Sequence, residues 1–150
     1  MSTLPIVTKT VHIHAPESSV WNAITQPQKL QQWMSESPII VTSEEVVGGI
    51  FSIKGKMNGA PYESKGFVLA WEPNRHFQYS YWNKISRIPD VPENYSILDF
   101  RLTSIETGTT LTFTQNNFIG KASFEHSNYY WGIALVALKR FVEGSSLIGY

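Results

Sequence analysis

The stretch SNYYWGIALVALKRFVEG, Ser127 to Gly144, decides the fold. At roughly 100° per residue, Tyr130, Ala137, Phe141, Ala134, Leu138, Trp131, Val142 and Leu135 fall on one contiguous arc of a helical wheel. The arc spans roughly 160°, whereas a helix lying on a flat core needs a stripe of only about 100°. The spacing therefore predicts a long helix enclosed from several sides. Gly144 is the expected stop near its C-terminus.

The preceding residues supply what encloses it. TKTVHIH (residues 8–14) alternates, with Val11 and Ile13 on one face and Thr10, His12 and His14 on the other, as a half-buried strand does. APESSVWNAIT follows, with Pro16 at a helix start and Val20, Trp21 and Ile24 at helical spacing. QPQKLQQWM predicts a second short helix with Leu30 and Trp33 on one face. From Ile39 the period becomes two. Phe51, Ile53 and Met57 are expected inward, and Asn58–Gly59 carries the strongest short hairpin signal. Phe67, Val68 and Leu69 are all apolar, so the parity of that strand is ambiguous and Gly66 is a candidate bulge.

HFQYSYW places Phe77, Tyr79 and Tyr81 on one face. NKISRIPDVPEN reads as a polar loop, long enough to be a mobile rim. A hairpin turning near Glu106–Gly108 sets Leu98, Phe100 and Leu102 against Leu111 and Phe113, with Asp99, Arg101 and alternate threonines facing out. One strand, two short helices, about six antiparallel strands and a long helix make a single α+β domain over residues 1–150. A twisted sheet of about seven strands curves, and its concave face can wrap the helix.

Composition narrows the function. Twelve basic and twelve acidic residues cancel, which argues against nucleic acid as a partner. Cysteine is absent, removing disulfides, thiol catalysis and thiolate metal sites. No apolar run is long enough for a membrane span, and the N-terminal residues lack a signal-peptide pattern, so a cytoplasmic protein is expected.

Catalytic constellations are missing as well. His12 and His14 share a strand face, but no nearby side chain in sequence completes a metal set, and exposed histidines are expected. Glu44 and Glu45 are adjacent and would point to opposite faces. Asp99–Arg101 reads as a surface ion pair and His76 as a surface residue. His126, beside Glu125, is expected in the first turn of the last helix, where capping is the commonest role of polar residues. No G-x-S-x-G elbow or phosphate loop occurs. Neither a metal nor a cofactor is implied.

The aromatic residues carry the remaining signal. Phe51, Phe67, Tyr79, Tyr81, Phe100, Phe113, Tyr130 and Trp131 are expected to converge beneath the last helix, with Ala134 and Leu138 above them and Gln115 placing an amide near a mouth. A packed core and a ligand-accepting cavity both satisfy this pattern.

The ordered set VHIHAPESSVWNAITQPQKLQQW, GGIF, GFVLAWEPNRHFQYSYW, GTTLTF and NYYWGIALVALKRFVE resembles the START-like helix-grip superfamily, also called SRPBCC. Within it the chain is most similar to the activator of Hsp90 ATPase homologue-1-like branch, over about residues 6–143. The resemblance implies a cavity between sheet and terminal helix, in which relatives bind lipids, sterols or polyketides. Three expectations follow from it. The first is a binder of a small hydrophobic or aromatic molecule, the second a chaperone-associated interaction protein with a filled core, the third a cyclase- or hydrolase-like enzyme. Outer-face Ile85, Ile88 and Ile97 leave both a monomer and a homodimer open.

Overall fold

A computed structural model describes residues 5–57 and 59–148, the side chains of 57 and 145–148 excepted. Strand β1 (Val7–Ile13) leads into helices α1 (Glu17–Thr25) and α2 (Pro27–Trp33). Strands β2 (Ile40–Ser43), β3 (Ile50–Met57), β4 (Ala60–Glu72) and β5 (His76–Asn83) follow. Two short 3-10 turns, Lys84–Ser86 and Pro92–Asn94, precede β6 (Ser96–Ile105), β7 (Gly108–Gln115) and helix α3 (Lys121–Ile148). The seven strands form one antiparallel sheet in the order β1-β7-β6-β5-β4-β3-β2, curved around α3 in the helix-grip arrangement.

Local chemistry explains these elements. Pro16 caps α1 and Pro27 begins α2, where a missing N–H costs nothing. Trp33 donates its indole N–H to Ala23 O at 2.8 Å, locking the two short helices together. Met57 pairs with Ala60 across a two-residue turn, and Gly59 sits at φ +81°. Asn58 and the Met57 side chain, both assigned from sequence, lie outside the described residues. The β6–β7 hairpin brings Phe100 opposite Phe113 and Leu102 opposite Leu111, as the alternation predicts.

Strand β4 corrects the sequence reading. Phe67 was expected inward; it faces out with 48% of its surface exposed, and Leu69 is likewise exposed. Val68 between them is fully buried. The cause is Gly66, which presses against β5 so closely that a Cβ would lie 1.7 Å from Ser80 O. Only glycine permits that approach, and it places Gly66 and Val68 on the inner face. The ladder to β5 then slips between Val68 and Ala70, so Trp71 returns inward. The bulge expected at Gly66 therefore lies farther along the strand.

Helix α3 departs from expectation at both ends. It begins six residues before Ser127, at Lys121, and runs through Gly144 to Ile148. Of the arc predicted on it, Trp131, Ala134, Leu135, Leu138 and Val142 are buried, while Tyr130, Ala137 and Phe141 are partly buried. Its C-terminal half is tied to β1. Lys139 Nζ donates to His12 O at 2.6 Å and pairs with Glu143 at 2.6 Å, while Glu143 accepts from His14 N at 2.8 Å.

Candidate functional site

The inner face of the sheet is filled at one end and open at the other. Trp21 of α1 packs edge-on against Trp71 and Phe77 with ring centroids 5.1 and 6.3 Å apart. Phe51 stacks on Tyr79 at 4.1 Å, and Phe113 meets Trp131 at 4.2 Å. Phe100 touches Phe77, Tyr79, Phe113 and Trp131, and so occupies the centre of the aromatic layer. Phe51, Phe100, Phe113, Ala134 and Leu138 are thus core, buried to 4% exposure or less. They do not border the cavity described next.

Beyond this layer the side chains become polar. Along β5, Phe77 and Tyr79 are buried whereas Tyr81 is partly exposed; along β7, Leu111 and Phe113 give way to Gln115. A cavity of about 330 Å³ opens here beneath the N-terminal half of α3. Its floor is Ile53, Tyr79 and Leu98, and its roof is Ser127, Tyr130 and Trp131. Met34, Ile39 and Tyr62 form the side, with Lys56, Ser35 and Ser37 also on its lining. Of the residues singled out from sequence, Tyr79, Tyr81, Gln115, Tyr130 and Trp131 line it.

Several lining residues escaped sequence reasoning. Met34, Ser35, Ser37 and Ile39 come from the α2–β2 connection, where periodicity gives no direction. Tyr62 is inward on β4 because Gly55, across the ladder, leaves it room; a Cβ there would stand 3.0 Å from its ring. The glycine at an inward strand position was the available signal.

The hydroxyls and the amide set the site's polarity. Tyr130 donates to Met34 O, fastening α3 to the end of α2. Tyr81 Oη accepts from Asn83 Nδ2 at 3.0 Å. Tyr79, fully buried, makes no hydrogen bond to any described residue. Burial pushes the phenol pKa of Tyr79 well above its ordinary value, the nearby tyrosines adding to it, and raises those of Tyr62, Tyr81 and Tyr130. These groups therefore stay neutral, offering O–H donors and no phenolate base.

Gln115 Nε2 donates to Ser96 Oγ at 3.0 Å, and the Ser96 hydroxyl donates to Asn116 O. Since the serine proton is already committed, Ser96 Oγ can only accept, which fixes the amide with its nitrogen toward Ser96. Gln115 Oε1 is buried and has no partner among the described residues.

Other candidates fall elsewhere. His126 sits in the second turn of α3, because the helix starts earlier than expected, and it also borders the cavity. His76 and Asp99 are a correction. They lie on the outer face, yet Asp99 is only 7% exposed. Gln78 and Arg101 lean over it from adjoining register positions and donate at 2.8 and 3.0 Å, and His76 Nε2 lies 2.5 Å away. His14 is exposed, but His12 is half-buried, its Nδ1 without a partner among the described residues. Glu44 accepts from Ile50 N at 2.6 Å and closes the β2–β3 turn. Among the described residues no three His, Asp or Glu side chains are placed to hold a metal, and no helix is long and apolar enough to cross a membrane. The 83–94 segment, expected as a mobile rim, is held by Trp82 Nε1 to Ile88 O at 3.2 Å, Asn94 Nδ2 to Pro89 O at 2.9 Å and Tyr95 Oη to Asp90 at 2.6 Å.

Comparison with known proteins agrees with this architecture. Residues 14–143 match the family described as activator of Hsp90 ATPase homolog 1-like protein. The solution structure of ChR145 from Cytophaga hutchinsonii is 30% identical, superposes with a TM-score of 0.81, and is covered over 99% of its length by 97% of this chain. Protein CV1439 from Chromobacterium violaceum is 18% identical with a TM-score of 0.78, over 93% of this chain and 99% of that one. The Aha1 dimer from Colwellia psychrerythraea is 23% identical with a TM-score of 0.72, over 93% and 97%. No curated protein matches the sequence.

Proposed function

The chain belongs to the activator of Hsp90 ATPase homolog 1-like family, and from that premise we propose that it binds a small apolar or aromatic molecule between the sheet and α3. The observation that carries this reading is a cavity of about 330 Å³ whose floor includes a hydroxyl, that of Tyr79, without a partner among the described residues. Ligand sites are typically apolar concavities of about 300–1,000 Å³ with a few convergent polar groups. The hydroxyls of Tyr79 and Tyr81 and the amide of Gln115 are those groups, and they orient the ligand. The neutral tyrosines, and a lining without a carboxylate among the described residues, support binding and assign no catalytic step.

Native mass spectrometry of the purified protein, beside the denatured chain, tests the proposal. An added mass released on denaturation supports it, and titration with small aromatics that leaves the bare mass unchanged refutes it.

A second reading has its own observation. Ile50, Phe67 and Leu69 are exposed on β3 and β4, with Ile50 paired to Phe67, and Val46 and Val47 are exposed in the β2–β3 connection, which bonds to Val68 of β4. Exposed apolar groups of this kind mark protein contacts, and the relative from Colwellia psychrerythraea is a dimer. This favours association through that face, with a second copy or a chaperone. Sedimentation of the wild type and of Phe67→Ser over a concentration series tests the homodimer; a wild-type monomer throughout excludes it.

A further inference from the structure

We propose that the ligand site has two lobes meeting at Gln115, and that its ligand is a molecule without positive charge that carries a hydrogen-bond donor between two apolar halves. The inference rests on the binding reading above and specifies its chemistry. A second concavity of about 440 Å³ lies between the 83–94 segment and the start of α3, with Ile85, Ile88, Phe118, Ile119 and Ala122 supplying apolar surface. It shares Tyr81, Gln115, His126 and Ser127 with the first, so the two adjoin at these residues. Side chains can turn aside without moving backbone. An elongated molecule fits the pair better than either part.

The donor follows from the hydrogen-bond accounting at the partition. Gln115 is 5% exposed, and its amide is fixed by the relay through Ser96 to Asn116. That leaves Oε1 as a buried acceptor with no partner among the described residues. Buried polar groups are almost always paired, and one that is not calls for an explanation. Oε1 is closed to solvent while the partition stands, and a ligand N–H or O–H lying across the opened partition supplies the missing donor. A ligand acceptor at the same place would face Oε1 lone pair to lone pair. Among the described residues the lining of both lobes contains no carboxylate, and its one lysine or arginine is the exposed Lys56, so nothing there neutralises a cationic ligand.

Carbazole and dibenzofuran separate the possibilities. They share one shape, two benzo wings about a central atom, but carbazole carries N–H where dibenzofuran carries oxygen. Fluorescence titration of the wild type should show carbazole binding about ten-fold tighter or more. In Gln115→Met the preference should collapse through weaker carbazole binding. Ala122→Trp, an exposed first-turn position of α3, fills the second lobe and should weaken both ligands several-fold. Equal affinities in the wild type, or a preference that survives Gln115→Met, overturn the donor assignment while leaving a binding cavity in place. Unchanged binding in Ala122→Trp overturns the second lobe. If neither compound binds the wild type, both the inference and the binding reading fall.

Discussion

Replacing Tyr79 by Phe removes one oxygen from the floor of the cavity, and the structure gives that oxygen an unusual balance. The ring is 1% exposed and stacks on Phe51 at 4.1 Å, with Phe77 at 5.4 Å and Phe100 at 6.2 Å. All of these contacts survive the substitution. What disappears is a hydroxyl without a hydrogen bond to any described residue. Losing a hydroxyl that is bonded within the protein costs about 1 kcal/mol, whereas one that borders a cavity carries only part of the desolvation penalty of about 1–3 kcal/mol of a sealed, unpartnered group. Water in the cavity offsets part of that penalty. Tyr79→Phe should therefore range from neutral to about 1 kcal/mol more stable, a rise in Tm of up to about 2–4 °C for a domain of this size. Ligand affinity should fall about five-fold, because the bound molecule loses its partner. Urea denaturation and ligand titration on the same preparation give both numbers. A loss of stability above about 1 kcal/mol would mean the hydroxyl is satisfied inside the protein, and the cavity argument would fail with it.

Two further perturbations test the frame around the site. Gly66→Ala sets a methyl group 1.7 Å from Ser80 O, backbone against backbone, so the β4–β5 ladder must part; a loss of about 3 kcal/mol or more in urea denaturation is expected, and near wild-type stability would show that the strands can separate cheaply. Glu143 has its pKa held below the ordinary 4.5, where partial burial works to raise it but is outweighed by the His14 N–H and Lys139. A depressed carboxylate stabilises the fold above its unfolded pKa and loses that contribution as pH falls through the folded one. Stability should therefore drop more steeply below about pH 4.5 in the wild type than in Glu143→Gln, and parallel acid profiles would show that the Glu143 contacts contribute nothing.

The fold was legible because its decisive signals are local. The width of the apolar arc on α3, the alternation of β5 through β7 and the two prolines at helix starts each follow from short-range geometry, and the structure keeps them all. The misplaced side chain is equally instructive. Phe67 looks inward because it is large and apolar among apolar neighbours, but parity on β4 is set by how closely Gly66 approaches Ser80 O, a fact about another strand. Asp99 shows the same limit. Alternation puts it on the outer face correctly, yet its burial depends on His76, Gln78 and Arg101 arriving from neighbouring register positions. On the cavity itself, inward aromatics were readable as a set, but not which of them pack and which border open space. Phe113 and Gln115 are two residues apart on one strand, and only the third dimension sorts the first into core and the second into the wall.

That sorting has a mechanical basis in how α3 is held. Its C-terminal half is fixed polar group to polar group, through Lys139 to His12 O and Glu143 to His14 N, with Leu138 and Val142 packed beneath. Trp131, seated on Phe113 at 4.2 Å, is the next support. N-terminal to it Tyr130 bonds to Met34 O and so reaches sideways to the end of α2, and Phe124 packs on Phe118 at 5.3 Å. The helix thus crosses the open end of the curved sheet as a beam supported at one end and braced at the other. A packed aromatic layer supplies the stability, and the space beyond it is spanned and not filled. An open volume can persist in a small domain on these terms because the residues around it, Tyr79, Tyr81, Gln115 and Tyr130, are each held by a contact to another part of the protein.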